Sequence, residues 1–178
     1  PYASCPPSRP RGAGHPAALL AGVQTHLLDS IGTDHCPFTH AQKLAGQGDF
    51  TKIPNGAAGV EDRLQLLYTY GVRSGRISLE RMVELGATAP ARIFGLANKG
   101  SLAVCKDAYI VLYAPEGKSV RSAKTPHSRA HRSIYEGFEV QRRIAKTIVN
   151  GRVAYDGHKP LLPRGDGRLH ARKPAAVR

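Results

Sequence analysis

At residues 30–34 the chain reads Ser30-Ile31-Gly32-Thr33-Asp34, and the fold class follows from this segment and from what comes after it. Its first four residues are partly β-branched and bounded by polar ones, which predicts a short buried strand that ends at Asp34. Helical patterns follow, and then a β-rich region. This order predicts an α/β fold in which the last part of a barrel precedes a separate β layer.

Four segments around this strand have helical patterns, since apolar residues recur in them at helical spacing. Ser78 can cap the third segment, and Pro90 stands in the first turn of the fourth, where its missing N–H costs least. The predicted helices are Pro16–Val23, Val60–Tyr68, Leu79–Leu85 and Pro90–Phe94. Residues 35–59 are rich in Gly, Pro and polar residues, which predicts a long functional or disordered loop.

Strand patterns dominate after Gly100. Ala108–Tyr113 is nearly continuous in apolar character, while Lys146–Val149 and Arg152–Tyr155 flank Asn150-Gly151. Asn-Gly between two β-rich segments is the strongest short-range signal for a hairpin, because a type I′ turn needs a positive φ at both positions. We therefore predict three strands, the last two of which form a tight hairpin.

Length and composition limit the class of protein. The chain has 178 residues, whereas a complete β/α barrel takes about 250, and it begins at Pro1 with no Met and no signal sequence. We therefore expect an internal segment of a longer protein. No run approaches the roughly 18 apolar residues of a membrane helix. The three widely spaced cysteines favour the cytoplasm over a disulfide-bonded secreted protein.

The net charge of +13 raises the question of nucleic-acid binding. However, the basic residues are spread along the chain, and no basic stretch is interleaved with aromatic residues. The densest cluster lies between Arg164 and Arg178, mixed with Gly and Pro, which is typical of a solvated tail. The charge pattern therefore disfavours nucleic acid as a partner.

Asp34 is the candidate catalytic residue. In parallel α/β folds the strand ends open into the loops of the active face, and a carboxylate there can bind a metal ion and accept a proton. Asp34 could instead simply cap the following turn, and this second role is favoured when the residue is considered alone. Two histidine groups match no closed zinc pattern and are interpreted as surface or core residues: His35 with Cys36 and His40, and His127 with His131.

Six short motifs follow one another along the chain. They are Cys5-Pro6-Pro7 with Arg9-Pro10, Gly32-Thr33-Asp34-His35-Cys36-Pro37-Phe38, Gly48-Asp49-Phe50-Thr51-Lys52-Ile53-Pro54-Asn55-Gly56, Glu61-Asp62-Arg63, Pro90-Ala91-Arg92-Ile93-Phe94-Gly95-Leu96 and Ser133-Ile134-Tyr135-Glu136-Gly137. The run D-F-T-K-I-P-N-G is too long for a chance match. In content and order these motifs resemble the dihydropyrimidinase and hydantoinase family of the amidohydrolase superfamily.

The resemblance implies an architecture. Residues 1–98 would form the C-terminal part of a (β/α)8 TIM-like barrel, residues 99–160 part of a small β-sandwich, and residues 161–178 a basic, disordered tail. It also implies a cytoplasmic homo-oligomer, a tetramer in the intact family, that acts on a cyclic ureide and has no membrane partner.

The resemblance further implies metal-dependent opening of dihydropyrimidine or hydantoin rings to N-carbamoyl amino acids. In the family two metal ions, usually zinc, are bridged by a carboxylated lysine and held by histidines and one aspartate. Asp34 matches that aspartate, which would bind metal and carry a proton from the bridging hydroxide to the leaving nitrogen. Asn55, and Cys5 where the family has serine, match the groups that bind substrate, mainly through the main chain.

Other expected residues are missing from this chain. It contains no His-x-His motif, and one aspartate cannot assemble a binuclear metal site. We therefore expect the isolated chain to be inactive. A non-catalytic interaction or oligomerisation module and, third, a basic binding protein stay open as alternatives. Cys105 and Tyr109 also depart from the family, because they stand where glycine and aspartate are expected.

Overall fold

A computed structural model describes residues 14–114, 116–123, 127, 133–141, 143–170 and 172. The candidate substrate residue Cys5, the first of the six motifs and His131 lie outside the described residues. Helices occupy the N-terminal half of the described chain and antiparallel strands the C-terminal half. The chain is thus an α/β structure with few strands, as the order of the sequence patterns predicts.

The helices are short and several are joined end to end. They are α1 (Gly14–Gln24), α2 (His40–Leu44), a 3-10 turn (Phe50–Lys52), α3 (Arg63–Leu67) with a π-helical turn (Tyr68–Val72), α4 (Leu79–Val83), a second π-helical turn (Glu84–Thr88) and α5 (Ala89–Ile93). Ser78 caps α4 as expected, because its side chain accepts a hydrogen bond from the Arg81 N–H at 3.1 Å. The four predicted helices are therefore confirmed, with shifts of a few residues at their ends.

The predicted strand at Ser30–Thr33 is wrong. This segment forms no strand, and Ile31 and Thr33 are half-buried while Ser30 and Gly32 are exposed. A strand needs a neighbouring ladder of N–H and C=O groups, and here the Ile31 N–H reaches only the Leu85 carbonyl at 3.4 Å. Ile31 nevertheless packs against the hydrophobic core.

The predicted long loop at residues 35–59 is wrong in two places, at α2 and at the 3-10 turn. Thr39 and Gln42 form a capping box at the start of α2: each side chain accepts a hydrogen bond from the backbone N–H of the other. Asp49 caps the 3-10 turn by accepting from the Thr51 N–H at 3.1 Å. The T-x-x-Q spacing of Thr39 and Gln42 is typical of a helix start and could have predicted α2.

The strands form two antiparallel sheets. The first has the order β1–β4–β5 and the second pairs β2 with β3, where β1 is Ile110–Tyr113, β2 Lys118–Val120, β3 Glu139–Gln141, β4 Ile144–Val149 and β5 Arg152–Tyr155. Asn150 and Gly151 have φ angles of +50° and +76°, as a type I′ turn requires, so the predicted hairpin is confirmed. The short strands β2 and β3 carry too little pattern to be predicted.

The core lies where the helices meet. Val23, Tyr68, Ile77, Met82 and Leu85 are buried together. The buried Arg81 guanidinium ties α4 to α1 and to the segment after it, since it donates to the Val23 carbonyl at 3.1 Å and the Leu28 carbonyl at 2.7 Å. These two hydrogen bonds fix the position of the segment between α1 and Asp34.

The small sheet packs on α3 and on the π-helical turn that follows it. Thr69 Oγ1 accepts a hydrogen bond from the Gln141 N–H at 2.8 Å, and the Tyr70 hydroxyl donates to the Glu139 carbonyl at 3.0 Å. Both contacts join residues about 70 positions apart in sequence. The helical and β regions are therefore in direct contact across the predicted division at residue 98.

Residues 161–170, assigned from the sequence to a disordered tail, contain no helix or strand. Asp166 bonds to Arg152 at 2.7 Å, and His170 Nε2 lies 3.0 Å from the Tyr109 hydroxyl. Within the described ranges, no helix is both long and apolar enough to cross a bilayer.

Replacing Cys105 with glycine should stabilise the chain. Cys105 is exposed and has a φ of +68°, in the left-handed region where a non-glycine residue costs about 1–2 kcal/mol. Allowing for the greater entropy of glycine in the unfolded chain, we expect Cys105→Gly to raise the free energy of unfolding by about 1 kcal/mol. Cys105→Ala is the control, because it removes the thiol but keeps the strain. Equal stabilities of the two variants in urea unfolding would contradict this assignment.

The isolated chain should self-associate through exposed apolar side chains of α4. Leu79 and Val83 lie one turn apart on the same face and are each 51% exposed. We expect Leu79→Gln with Val83→Gln to shift the chain towards monomer in size-exclusion chromatography with light scattering. Glu80→Gln, on the same helix, should leave the distribution unchanged. A monodisperse monomer before any substitution would show that this face needs no partner.

Candidate active site

Asp34 lies at the end of the extended segment that follows α1. Its side chain is exposed and its φ is +47°, a left-handed conformation that Asp tolerates better than most residues. The backbone therefore turns sharply at Asp34, between the segment packed on the core and the loop that leads to α2. This turn presents the carboxylate at the surface rather than burying it.

His35, the residue after Asp34, is anchored to the segment just before α3. Its Nδ1 atom accepts hydrogen bonds from the Gly59 N–H at 3.0 Å and the Val60 N–H at 3.2 Å. A ring nitrogen that accepts has no proton, so His35 is in the tautomer that carries its proton on Nε2. These contacts give His35 a structural role, because they tie the two segments together.

A backbone contact brings the loop that carries Asn55 beside the Asp34 segment. His35 and Ala57 form an isolated parallel bridge, in which the Cys36 N–H donates to the Ala57 carbonyl at 3.1 Å. Gly56 allows this approach, because a Cβ on it would collide with the Cys36 carbonyl oxygen. The φ of Gly56 is +139°, which L residues rarely adopt. The structure thus brings the segments of Asp34 and Asn55 side by side.

Lys43 holds the Asn55 loop from the other side. Its side chain is only 3% exposed, and its ammonium group donates to the Pro54 carbonyl at 2.5 Å and to the Gly56 carbonyl at 2.8 Å. The same group lies 5.2 Å from the centre of the Phe38 ring, within the range of a cation–π contact. Asn55 itself is exposed between the two bound carbonyls.

Asp49 organises the exposed turn ahead of Asn55. Besides the Thr51 N–H, its carboxylate accepts from the Thr51 hydroxyl at 2.6 Å and pairs with Lys52 at 3.3 Å. The hydrogen bond from the Thr51 side chain is the main cause that lowers the pKa of Asp49. The D-F-T-K run is therefore a local turn motif rather than a set of catalytic groups.

The Glu61-Asp62-Arg63 motif joins three separate segments. Glu61 accepts from the His127 N–H at 2.9 Å, Asp62 forms a buried ion pair with Arg121, and Arg63 donates to the Ile31 carbonyl at 3.0 Å. Burial raises the pKa of Asp62, although Arg121 opposes that shift. The motif supports the candidate site indirectly, because Arg63 fixes the segment that leads to Asp34.

No metal centre forms from the described residues alone. Among them, no group of three or more His, Cys, Asp or Glu side chains is placed to hold a metal ion. His127 contacts Glu61 at 3.1 Å and the Tyr155 ring edge-on, as a surface histidine does. Asp34 thus has no cluster of further ligands among the described residues, and the nearby His35 and Lys43 bond to backbone groups.

Sequence reasoning proposed Asp34 and Asn55 as site residues but missed the residues that hold their segments. The buried Lys43 lay in a segment predicted as loop, and only the T-x-x-Q spacing before it could have indicated a helix there. Nothing in the sequence shows that His35 would accept from backbone N–H groups 24 and 25 residues away. Such contacts depend on the fold.

Comparison with known proteins identifies the class of this fold. No protein-family model matches the chain. A D-hydantoinase (dihydropyrimidinase) from Thermus sp. superposes with a TM-score of 0.94 at 37% identity, over 99% of this chain and 39% of that one. The described architecture is therefore that of a part of a hydantoinase structure.

Comparison of the sequence finds relatives among the hydantoinases. The chain is 41% identical over 158 residues to a D-phenylhydantoinase of Escherichia coli O1:K1 / APEC, a match to 88% of this chain and 34% of the relative. It is 42% identical over 152 residues to the D-hydantoinase of Streptomyces coelicolor, which covers 84% of this chain and 32% of the relative. The chain is thus similar to D-hydantoinases and dihydropyrimidinases, as its motifs predict, and spans about a third of the length of these sequence relatives.

The isolated chain should not retain zinc. With Asp34 as a lone ligand, its affinity should be no higher than that of an ordinary histidine-containing surface, because tight binding needs several preorganised ligands. After dialysis against a chelator, metal analysis should find substoichiometric zinc. A stoichiometric, chelator-resistant zinc would contradict this expectation and place a metal site elsewhere in the chain.

Proposed function

We propose that this chain is the part of a hydantoinase-type hydrolase that supplies its catalytic aspartate and one of its substrate-binding loops. The overall reaction is the hydrolytic opening of a dihydropyrimidine or hydantoin ring to an N-carbamoyl amino acid. One observation carries the proposal: the bridge between His35 and Ala57 places the Asp34 segment beside the Asn55 loop. The hydantoinase names of the relatives support the same reaction class.

In this proposal the two segments have different tasks. The Asp34 carboxylate accepts the proton of the water that attacks the ring carbonyl, and returns it to the ring nitrogen as the C–N bond breaks. The main chain at Asn55 binds the polar edge of the ring, where an N–H can donate to a ring carbonyl and a C=O can accept from a ring N–H. Cys5 would add a second main-chain contact.

The proposal includes a pair of zinc ions in the complete enzyme. The described residues do not by themselves fit such a pair, because they offer Asp34 and no cluster of further ligands. The remaining ligands must therefore come from protein outside this set. This requirement is the reason that we expect the isolated chain to be inactive.

The proposal also assigns the two regions of the fold. We infer that the helical region is part of a TIM-like barrel and that strands β1–β5 belong to a small β-sandwich. The TM-score of 0.94 against a hydantoinase structure supports this division. A cytoplasmic tetramer acting on a cyclic ureide stays a prediction.

A non-catalytic interaction module is the second candidate function. It is favoured by the exposed apolar side chains of the helical region, among them Leu27 at 79% and Phe50 at 81% exposure. The two candidates differ in whether the chain can complete a working enzyme. A graft answers that question: this chain replaces the matching 39% of the Thermus sp. D-hydantoinase, and the product is assayed with dihydrouracil and hydantoin.

In the active graft, Asp34→Asn should abolish ring opening, because the amide cannot accept the proton. We expect a loss of about 10²–10⁴ in kcat, as is typical when a general acid–base group is removed. Asp29→Asn is the matched control, since Asp29 is also exposed and precedes the site by five residues. Near-parental turnover of the Asp34→Asn graft would remove Asp34 from the mechanism, and an inactive unsubstituted graft would favour the interaction module.

A further inference from the structure

The Lys43 ammonium binds the two carbonyls that flank Asn55. The Pro54 carbonyl accepts at 2.5 Å and the Gly56 carbonyl at 2.8 Å, so both neighbours of Asn55 are anchored by the same side chain. Asn55 lies between these anchors and is itself exposed. The lysine therefore restrains the backbone on both sides of Asn55 without occupying the surface that Asn55 presents.

Burial makes this restraint strong. The Lys43 side chain is 3% exposed, and a buried ammonium group is costly unless its protons are hydrogen-bonded. Moving the Pro54–Gly56 backbone away would leave both the ammonium and the carbonyls without these partners. Hydrogen bonds to a charged donor are also stronger than those between neutral groups. These bonds therefore favour the observed position of the loop relative to α2.

Lys43 also contacts the segment that carries Asp34. Its ammonium lies 5.2 Å from the Phe38 ring centre, and Phe38 ends the Asp34–Phe38 run. On the opposite side the Cys36 N–H donates to the Ala57 carbonyl, just beyond the anchored Gly56. The lysine, the Asn55 loop and the Asp34 segment therefore form one connected unit.

From these contacts we infer that Lys43 is a positioning residue that sets the Asn55 main chain for substrate binding. This inference rests on the proposed function, because the substrate contact at Asn55 is part of it. Lys43 does not touch the substrate in this role. It acts through the two carbonyls, which fix where the Asn55 N–H and C=O groups point.

The graft described above tests this role by kinetics. Lys43→Met keeps the length of the side chain but cannot donate to the carbonyls, so the Asn55 groups lose their fixed position. Since uniform loss of substrate binding raises KM and spares kcat, we expect KM to rise about tenfold or more while kcat changes far less. Lys43→Arg, which can still donate to both carbonyls, should recover most of that loss.

Controls separate positioning from general damage. Lys52→Met removes an exposed lysine of the same loop region and should leave KM unchanged. Zinc content should be similar in the Lys43→Met and Lys43→Arg grafts. An unchanged KM for Lys43→Met would overturn the inference, and so would a parallel fall in kcat and zinc content, which would indicate a structural role alone.

An inactive unsubstituted graft would reject the proposed function and leave the restraint itself to be measured in the 178-residue chain. Lys43→Met should then accelerate amide exchange at Cys36 and Gly59, whose N–H groups bond across the two loops, and not at Ile148 in β4. Unchanged exchange at Cys36 and Gly59 would overturn the inference, because the lysine would then not hold the loop.

Discussion

The candidate site depends on the pairing between residues 35–36 and residues 57–60. Three backbone N–H groups, those of Cys36, Gly59 and Val60, find acceptors in this pairing. The two loops cannot separate without losing these bonds together. This pairing brings the Asp34 segment beside the Asn55 loop, because Asp34 directly precedes His35 and Asn55 lies two residues before Ala57.

Basic side chains complete the framework around that pairing. Lys43 binds the carbonyls beside Asn55, Arg63 binds the Ile31 carbonyl, and Arg81 binds the carbonyls of Val23 and Leu28. All three long side chains hold backbone rather than one another. A buried cation is costly unless its donors are hydrogen-bonded, so Lys43 and Arg81 specify where these segments lie as much as they stabilise them.

Most of the helices and the hairpin could be predicted, because local properties determine them. Ser78 caps α4 by a bond to Arg81, three residues away, and Asn150 and Gly151 adopt the positive φ that a two-residue turn demands. The strand predicted at Ser30–Thr33 fails because a strand also needs a neighbour, which the pattern of its own residues cannot supply. Strands β2 and β3 were missed for the converse reason: they are only three residues long, and their mutual pairing makes them strands.

For the site, the sequence alone supplied the candidates, Asp34 and Asn55, and the resemblance to the family, since motif identity is a property of the chain alone. What holds the two segments is visible only in the fold: His35 accepts from N–H groups 24 and 25 positions away, and Lys43 reaches carbonyls 11 and 13 positions away. The physical reason is that a hydrogen bond depends on distance and direction in space, and loops that are far apart in sequence acquire both only when the chain is folded.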